Sequence, residues 1–302
     1  MGFLNVVLSE KVKNVNTDKN QLNIELLSGE IRKVDISDLN SVLIESRLLN
    51  ISTYTLDALA KNKVTVYFCD EKHLPTSIFL PFNSHFAQLR LLKLQNECPK
   101  PLQKQMWKCI VKQKINNQMR CMQFVEVDNC DRMQNFENSV LSGDSGNVEA
   151  SAANLYFKSI MNKGFTRDDE CLFNSAINYG YALIRGQIAR SVVSSGLQPC
   201  LGIHHCNELN NFNLVDDLIE PFRPFVDLFV LKSFFPYNQD FSTSEKKKML
   251  DVMNLAVRIN SQNHSMQNAI EKVVDSYVQS LKGCEVSLIL PMLDGVENYG
   301  FE

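Results

Sequence analysis

Residues able to bind a divalent cation are concentrated in one stretch of the chain, residues 201–227. Two adjacent histidines, His204 and His205, precede a short polar loop, and Asp217 and Glu220 follow in a segment of helical spacing. Because these two acids stand three positions apart, a helix would project their carboxylates from one face, one turn apart. Imidazole with convergent carboxylates is a ligand set for Mn²⁺ or Mg²⁺. A solvated acidic helix face beside histidines that bind nothing would show the same pattern, so both interpretations stay open.

The helical segment within this stretch is expected to begin at Asn213 and to kink at Pro221. Asn213 is the expected N-cap, and Asp216 suits the electropositive start of a helix. Pro221 has no N–H to donate to the carbonyl of Asp217, so the helix should loosen there.

A further carboxylate of interest, Glu149, lies outside this stretch. It shares one helical stripe with Ala153, Tyr156 and Ile160. A carboxylate in such an apolar or aromatic stripe is costly to bury without a partner, which indicates a functional role. The alternative is that Glu149 only occupies the first turn of a helix, where acids favour the helix dipole.

Composition describes an ordinary globular protein with no global signal for a polyanion partner. The chain has 302 residues, enough for two domains, and a net charge of −3. It contains no run of about 18 apolar residues and no signal-peptide pattern, so we expect a cytoplasmic protein without a membrane segment. Nine cysteines with no CxxC pair indicate reduced thiols. A zinc site from Cys200, Cys206 and the histidines fits no standard spacing.

The first quarter of the chain has the patterns of β-strands. Residues 22–36 alternate between apolar and polar on both sides of Ser28 and Gly29, which predicts a hairpin. Further elements are expected as strands at 4–8, 41–45 and 64–69 and a helix at 52–61. We therefore predict a small β-rich, sandwich-like domain at residues 1–75, serving as scaffold or for dimerisation, and a linker at 76–84.

From residue 85 onward the pattern is helical, which predicts a larger all-α catalytic domain at 85–302 and an α+β chain overall. The expected helices span 87–95, 102–124, 147 onward, 171–195 with interruptions at Gly180 and Gly186, 229–235, 246–259 and 262–281, with a short strand at 286–290.

One segment of this domain, residues 90–120, is strongly basic. Its cations are Arg90, Lys93, Lys100, Lys104, Lys108, Lys112, Lys114 and Arg120. They could form an ordinary solvated helix face or a stripe that contacts phosphates.

Six stretches distributed over most of the chain form a recognisable set. They are SVLIES at 41–46, VTVYFCDEKHLP at 64–75, NVEASAANLYF at 147–157, NSAINYGYAL at 174–183, GLQPCLGIHHCN at 196–207 and DLIEPFRPFVD at 217–227. Together these stretches resemble the CRISPR-associated spacer-acquisition integrases, the Cas1 family, in its type II branch.

The resemblance implies a metal site in the helical domain. In that family a Glu, a His and an acidic residue hold the metal and are catalytic, and by motif position these fall on Glu149, His205 and Glu220. Asp217 matches a further acidic position and is implied as a supporting or alternate ligand. His204 is the alternative for the imidazole.

The implied reaction is attack by the 3′-hydroxyl of a short DNA duplex on a phosphodiester of the CRISPR repeat, which inserts a new spacer for antiviral defence. Mg²⁺ or Mn²⁺ is the implied cofactor. Water as the attacker would give endonuclease hydrolysis as a side activity. Arg223 could contact phosphate, fix the Glu220 carboxylate, or form only a structural ion pair. A metal-dependent nuclease without strand transfer and a non-catalytic DNA-binding scaffold are the alternative functions.

The resemblance also implies the partners. It favours a DNA-binding role for residues 90–120, with double-stranded DNA bound as prespacer and as repeat. Two coupled insertions need two active sites a repeat apart, which favours homodimers bridged by the small Cas2 subunit. Other type II CRISPR proteins are further expected partners, in a prokaryotic cytoplasm.

Overall fold

The structure of the chain, a computed structural model, describes residues 4–71, 75–79, 87–161, 171–234, 241–295 and 297. Its backbone divides into two compact units, Met1–Ser84 and His85–Glu302. The first unit is β-rich and the second is predominantly helical, so the predicted α+β class is confirmed.

In its described residues the first unit contains two four-stranded sheets and one α-helix. Its elements are β1 (Leu4–Leu8), β2 (Val12–Asp18), β3 (Gln21–Leu26), β4 (Ile31–Asp35), β5 (Leu39–Ile44), β6 (Asn50–Ile51), α1 (Thr53–Lys61), β7 (Thr65–Cys69) and β8 (Pro75–Phe79). One sheet has the order β1-β5-β7-β8 and the other β4-β3-β2-β6. Apolar side chains from both sheets and from α1 share one core, which includes Leu8, Val15, Leu22, Val42, Leu59 and Val66.

The predicted hairpin and the predicted helix of this unit are confirmed, whereas strands β2 and β6 were not predicted. β3 and β4 pair antiparallel across Gly29, whose φ of +84° suits glycine. Strand β2 escaped prediction because its buried residues, Val12 and Val15, stand three positions apart. A register shift between Val12 and Asn14 brings both onto the core side, which hides the period of two.

The predicted linker at 76–84 is wrong in its first half. β8 pairs antiparallel with β7, with Tyr67 opposite Ile78, so this segment belongs to the first unit. Pro75 begins an edge strand, where its missing N–H costs no ladder hydrogen bond. Residues 80–86 lie outside the described residues, and the dimerisation role of the unit stays a prediction.

The second unit is built around two long helices, α3 and α6. Its elements are α2 (Gln88–Asn96), α3 (Lys100–Phe124), α4 (Cys130–Ser139), α5 (Val148–Ile160), α6 (Leu172–Ser194), α7 (Asn213–Leu218), α8 (Arg223–Phe234), α9 (Thr243–Met249), β9 (Ala256–Ile259), β10 (Gln262–Ser265) and α10 (Met266–Gly283). α3 packs against α4, α5 and α8, and α6 packs against α7, α8, α9 and α10. No helix in the described part of the chain has both the length and the apolar character that a membrane span requires.

The end of the second unit departs from the sequence prediction. The helix expected over 246–259 ends at Met249, and β9 and β10 form a hairpin instead. Asn260 and Ser261 both have positive φ, 48° and 66°, as a two-residue hairpin turn requires. The expected strand at 286–290 is not formed, because serine hydroxyls of α10 accept hydrogen bonds from the backbone N–H groups of Ser287 and Ile289.

Helix α6 is unbroken at Gly180, where the sequence predicted an interruption. A Cβ on Gly180 would lie 2.5 Å from Val226 Cγ1 and 2.7 Å from Met249 Cε. Glycine therefore allows α8 and α9 to approach α6 closely. In this way α8, which begins directly after the turn that carries Glu220, packs against the long helix α6.

Replacing Gly180 by Ala is expected to lower the free energy of unfolding by about 1–3 kcal/mol, because the new methyl group overpacks this contact. Gly146→Ala is the matched control, since its Cβ would meet nothing closer than Val148 Cγ2 at 3.5 Å. Urea denaturation followed by circular dichroism measures both. Equal stability of the two variants would contradict the close packing described here.

Candidate metal centre

Asp217 organises the loop that carries the two histidines. Its carboxylate is fully buried, with 0% exposure, and accepts hydrogen bonds from three successive backbone N–H groups, those of Ile203 (2.5 Å), His204 (3.0 Å) and His205 (3.2 Å). It also contacts the His205 ring, with 2.6 Å between Oδ1 and Nδ1. Since both carboxylate oxygens are engaged within the protein, Asp217 suits the supporting role better than that of an alternate ligand.

Two residues let the loop close on Asp217. A Cβ on Gly202 would lie 2.2 Å from the His205 carbonyl oxygen and 2.9 Å from Asp217 Oδ2, so only glycine fits there. The prediction of Asn213 as N-cap is wrong, because Phe212 takes that position. The Asn213 amide instead donates to the carbonyls of Cys200 (3.1 Å) and Asn207 (2.9 Å), which fastens both ends of the loop.

The structure favours His205 over His204 as the imidazole of the site. The hydrogen bond with Asp217 raises the pKa of His205, and the charge of Glu220 acts in the same direction although burial opposes it. With Nδ1 engaged by Asp217, Nε2 is the nitrogen left for a metal, as in many histidine ligands. His204 instead stacks on Trp107, with ring centroids 4.3 Å apart and planes 2° from parallel.

Glu220 lies at the predicted break in the helix, which is confirmed. α7 ends at Leu218, a 3₁₀ turn covers Glu220–Phe222, and α8 begins at Arg223. Asn117 of α3 donates a hydrogen bond to the Pro221 carbonyl oxygen at 2.7 Å. This contact holds the turn against α3 and directs Glu220 toward that helix.

Lys114 of α3 joins Glu149 and Glu220. Its ammonium forms an ion pair with Glu149 Oε1 and lies 2.5 Å from Glu220 Oε2. The Lys114 side chain is 9% exposed, so its assignment to a solvent-facing basic stripe is wrong. A sequence signal was available, because Lys114 stands three or four positions from the buried Ile110, Val111, Asn117 and Gln118 and so lies on the buried stripe of α3.

Arg223 is the second cation at Glu220. Its Nε donates to Glu220 Oε1 at 2.9 Å, and its guanidinium lies 4.6 Å from the Tyr181 ring centroid. Burial alone would raise the pKa of Glu220, but the charges of Lys114 and Arg223 outweigh it and hold the pKa at about 2. Of the roles considered for Arg223, fixing the Glu220 carboxylate is the one this contact supports.

Glu149 occupies the first turn of α5, where an acid interacts favourably with the helix dipole, and its carboxylate also contacts Lys114. Asp144 accepts hydrogen bonds from the N–H groups of Val148 (2.9 Å) and Glu149 (3.0 Å), so it satisfies the start of α5. The Glu149 side chain is 28% exposed against 9% for Glu220.

A buried hydrogen-bond network that the sequence did not predict connects α5, α6 and α8. Asp227 of α8 is buried and accepts hydrogen bonds from the hydroxyls of Tyr156, on α5, and Tyr181, on α6. It therefore fastens the helix of Glu149 to the helix that follows Glu220. The signal in the sequence was Tyr156 itself, which shares the helical stripe of Glu149.

The donor set fits a divalent cation. Among the described residues, no three His, Cys, Asp or Glu side chains converge closely enough to hold a metal as they stand. Glu149 and Glu220, however, already share one cation, the Lys114 ammonium, and His205 stands within the electrostatic range of Glu220. Two carboxylates and an imidazole suit Mg²⁺ or Mn²⁺. A cleft of about 480 Å³ opens beside His205 and is lined largely by amide side chains, including Gln95, Gln103 and Asn211.

Comparisons with known proteins agree on one family. The family model described as CRISPR associated protein Cas1 matches residues 6–260. The chain is 37% identical to the CRISPR-associated endonuclease Cas1 of Neisseria meningitidis serogroup C, over 91% of this chain and 92% of the relative.

Solved structures share the fold, and two of them are a casposase complex and a Cas6-RT-Cas1–Cas2 complex. A casposase bound to an integration product has a TM-score of 0.77 at 19% identity, covering 95% of this chain and 92% of that one. A chain of a Cas6-RT-Cas1–Cas2 complex has a TM-score of 0.71 at 15% identity, covering 94% of this chain and 35% of that one.

Replacing Asp217 by Asn is expected to lower the free energy of unfolding by about 1–3 kcal/mol, because the amide turns a donor toward backbone N–H groups that need an acceptor. Glu208→Gln, a change to an exposed acid of the same loop, is the control. Urea denaturation compares the two variants. Superimposable unfolding curves would show that Asp217 does not organise the loop.

Proposed function

This chain belongs to the Cas1 family of CRISPR-associated proteins, and from that premise we propose that it is a metal-dependent DNA integrase of CRISPR adaptation. Its substrates are a short DNA duplex, the prespacer, and the CRISPR repeat. The observation that carries the proposal is the convergence of Glu149 and Glu220 on one cation beside the oriented imidazole of His205. The casposase, which shares the fold, was captured with an integration product, and this supports joining chemistry.

In the proposed reaction the 3′-hydroxyl oxygen of the prespacer attacks a phosphorus of the repeat backbone, and the bond to the leaving 3′-oxygen breaks. Glu149, Glu220 and Nε2 of His205 would hold Mg²⁺ or Mn²⁺. When bound, the cation supplies Lewis-acid polarisation of the phosphate and favours the deprotonated form of the attacking hydroxyl.

The other residues of the site act by position. Asp217 keeps the His205 ring in the tautomer whose Nε2 is unprotonated. Arg223 holds Oε1 of Glu220, so this carboxylate keeps one orientation while the substrate binds. The exposed side of the site, at Glu149, is where the phosphate enters.

A second candidate is a metal-dependent nuclease that makes no DNA joints, and it is favoured by the similarity to the Neisseria relative, which is named an endonuclease. Both functions use the same residues and differ only in whether a 3′-hydroxyl or a water attacks. The appearance of a joined DNA product separates them.

We infer that DNA lies along one side of α3. Lys100, Lys104, Lys108 and Lys112 follow one another at intervals of four, which places them on the same side of the helix. None of them takes part in a salt bridge within the described ranges, so their charges are available to phosphates. Lys114 does not belong to this stripe, because it contacts the two carboxylates of the metal centre. Arg120 leaves it too, because it contacts Asp294 and the Leu293 carbonyl.

We further propose that two dimers of the chain are bridged by a Cas2 subunit. Insertion at both ends of a repeat needs two active sites held a fixed distance apart. The chain that shares this fold in the Cas6-RT-Cas1–Cas2 complex supports such a partner.

Glu149→Gln and His205→Ala should each reduce strand transfer by more than about 100-fold, since even the loss of a residue that only supports a ligand costs roughly 10- to 100-fold. The assay follows a labelled duplex into repeat DNA on a sequencing gel, with Mn²⁺, with Mg²⁺ and with a chelator. Glu126→Gln, at an exposed acid beyond the end of α3, is the control. Full activity of both variants in folded protein would disprove the site assignment, and cleavage without joining would favour the nuclease.

The triple change of Lys104, Lys108 and Lys112 to Gln should weaken DNA binding. It should also lower the slope of log affinity against log salt concentration by up to about 3, because each lost phosphate contact removes about one unit. The control changes three exposed lysines of the first unit, Lys19, Lys33 and Lys63, with the same net charge. Fluorescence anisotropy across a salt series measures both, and equal slopes would place the DNA elsewhere.

A further inference from the structure

The buried ammonium of Lys114 is the feature that the proposed chemistry does not use. Lys114 carries one positive charge between two carboxylates of the site, and its side chain is 9% exposed. A lysine buried to this degree is costly unless oppositely charged partners surround it. Glu149 and Glu220 are those partners, and Arg223 contacts Glu220 through its Nε.

The charges of the cluster balance only while Lys114 is in place. Two carboxylates contribute −2, and Lys114 and Arg223 contribute +2, so the cluster of four side chains is neutral. A divalent cation added to Glu149 and Glu220 would make the cluster +2 and would stand close to the Lys114 ammonium. Like charges in a site of low dielectric repel strongly, so the two cations compete for the same oxygens.

The contact with Glu220 is of a kind that can be exchanged. The ammonium lies 2.5 Å from Glu220 Oε2, yet within the described residues this buried oxygen has no hydrogen bond of regular geometry. The attraction there is mainly one of charge, which a second cation can supply as well. Oε1, by contrast, is held directionally by Arg223.

We propose that Lys114 is the resident counter-ion of the metal centre. It keeps Glu149 and Glu220 together before the metal arrives, and the metal displaces its ammonium on binding. This inference rests on the proposed function, since it assumes that these two carboxylates bind a divalent cation. Lys114 is a positioning residue in this scheme, acting through the two ligands.

If Lys114 competes with the metal, its removal changes the metal affinity in the opposite direction from the one expected for a purely structural lysine. If Lys114 only supported the ligands, its loss would weaken metal binding. If it competes with the metal, removing its charge destabilises the metal-free site and relieves repulsion in the metal-bound one. Both effects tighten metal binding, and linkage makes the change equal to the coupling between the two cations.

The test compares the full-length protein with Lys114→Met, which keeps a long apolar stem and removes the charge. Isothermal titration with Mn²⁺ should show tighter binding in Lys114→Met by at least about fivefold, the lower end of typical coupling between two ligands. The melting temperature of the metal-free variant should be lower than that of the wild type, and saturating Mn²⁺ should raise it by more. Lys158→Met is the matched control, because Lys158 is an exposed lysine in the last turn of α5, the helix that carries Glu149 in its first turn, and its loss should leave Mn²⁺ affinity unchanged.

A second variant decides the matter if Lys114→Met does not fold. Lys114→Arg keeps the charge and offers a planar fork that binds carboxylates bidentately, so it should be harder to displace. Mn²⁺ should bind this variant more weakly than the wild type, again by at least about fivefold. Unchanged or tighter binding in Lys114→Arg, or unchanged or weaker binding in Lys114→Met, would overturn the proposal.

Failure of this inference can be told from failure of the proposed function. Glu149→Gln should reduce Mn²⁺ affinity whether or not Lys114 competes, because it removes a ligand. If the wild type binds Mn²⁺, Glu149→Gln binds it poorly and Lys114→Met binds it no better than the wild type, only the role of Lys114 falls. If neither the wild type nor Lys114→Met binds Mn²⁺, both the proposed metal centre and the proposed counter-ion role of Lys114 are disproved.

Discussion

The second unit depends on one electrostatic constraint, that two carboxylates in a partly buried site must share a cation. Glu149 and Glu220 come from different helices and would repel each other if Lys114 did not stand between them. The constraint sets which elements meet. α3 brings the ammonium, α5 carries Glu149 in its first turn, and the break before α8 turns Glu220 inward. Packing of apolar side chains brings these helices together, and the charges require that Lys114 meets both carboxylates.

The alignment is fixed by buried polar contacts rather than by the site residues themselves. Asn117 uses both ends of its amide, donating to the carbonyls of Pro221 and Pro291 and accepting from the Leu293 N–H. Asp227 accepts from two tyrosine hydroxyls on neighbouring helices. Each of these groups is costly to bury unless it is satisfied, so a shift of one helix against another would leave them unpaired. This penalty holds the ligands in register.

Sequence could predict the secondary-structure elements better than the electrostatics of the candidate site. The α+β class, the hairpin around Gly29 and the break at Pro221 follow from local rules, and the structure confirms them. Strand β2 and the β9–β10 hairpin did not follow, because a bulge hides the alternation in one and the turn residues, Asn260 and Ser261, give a weak signal in the other. Lys114 belongs by charge to the basic segment, and its place beside Ile110 and Val111 is a weak signal, because the other buried residues of that face, Asn117 and Gln118, are polar. The assignment of the three ligands remains a prediction from motif position.

The two carboxylates of the centre are not equivalent, because one side of the site is buried and fixed and the other is more exposed to solvent. Glu220 is 9% exposed and contacts two cations, while Glu149 is 28% exposed and contacts one. Glu220 is therefore the fixed side, held by Arg223 whether or not Lys114 stays. Glu149 stands in the first turn of its helix, where Asp144 satisfies the backbone N–H groups, so its carboxylate is held only by Lys114 among the contacts of the described residues. An incoming cation and phosphate would meet Glu149 first, and the cheapest adjustment of the site is a movement of Glu149 and Lys114 against a stationary Glu220.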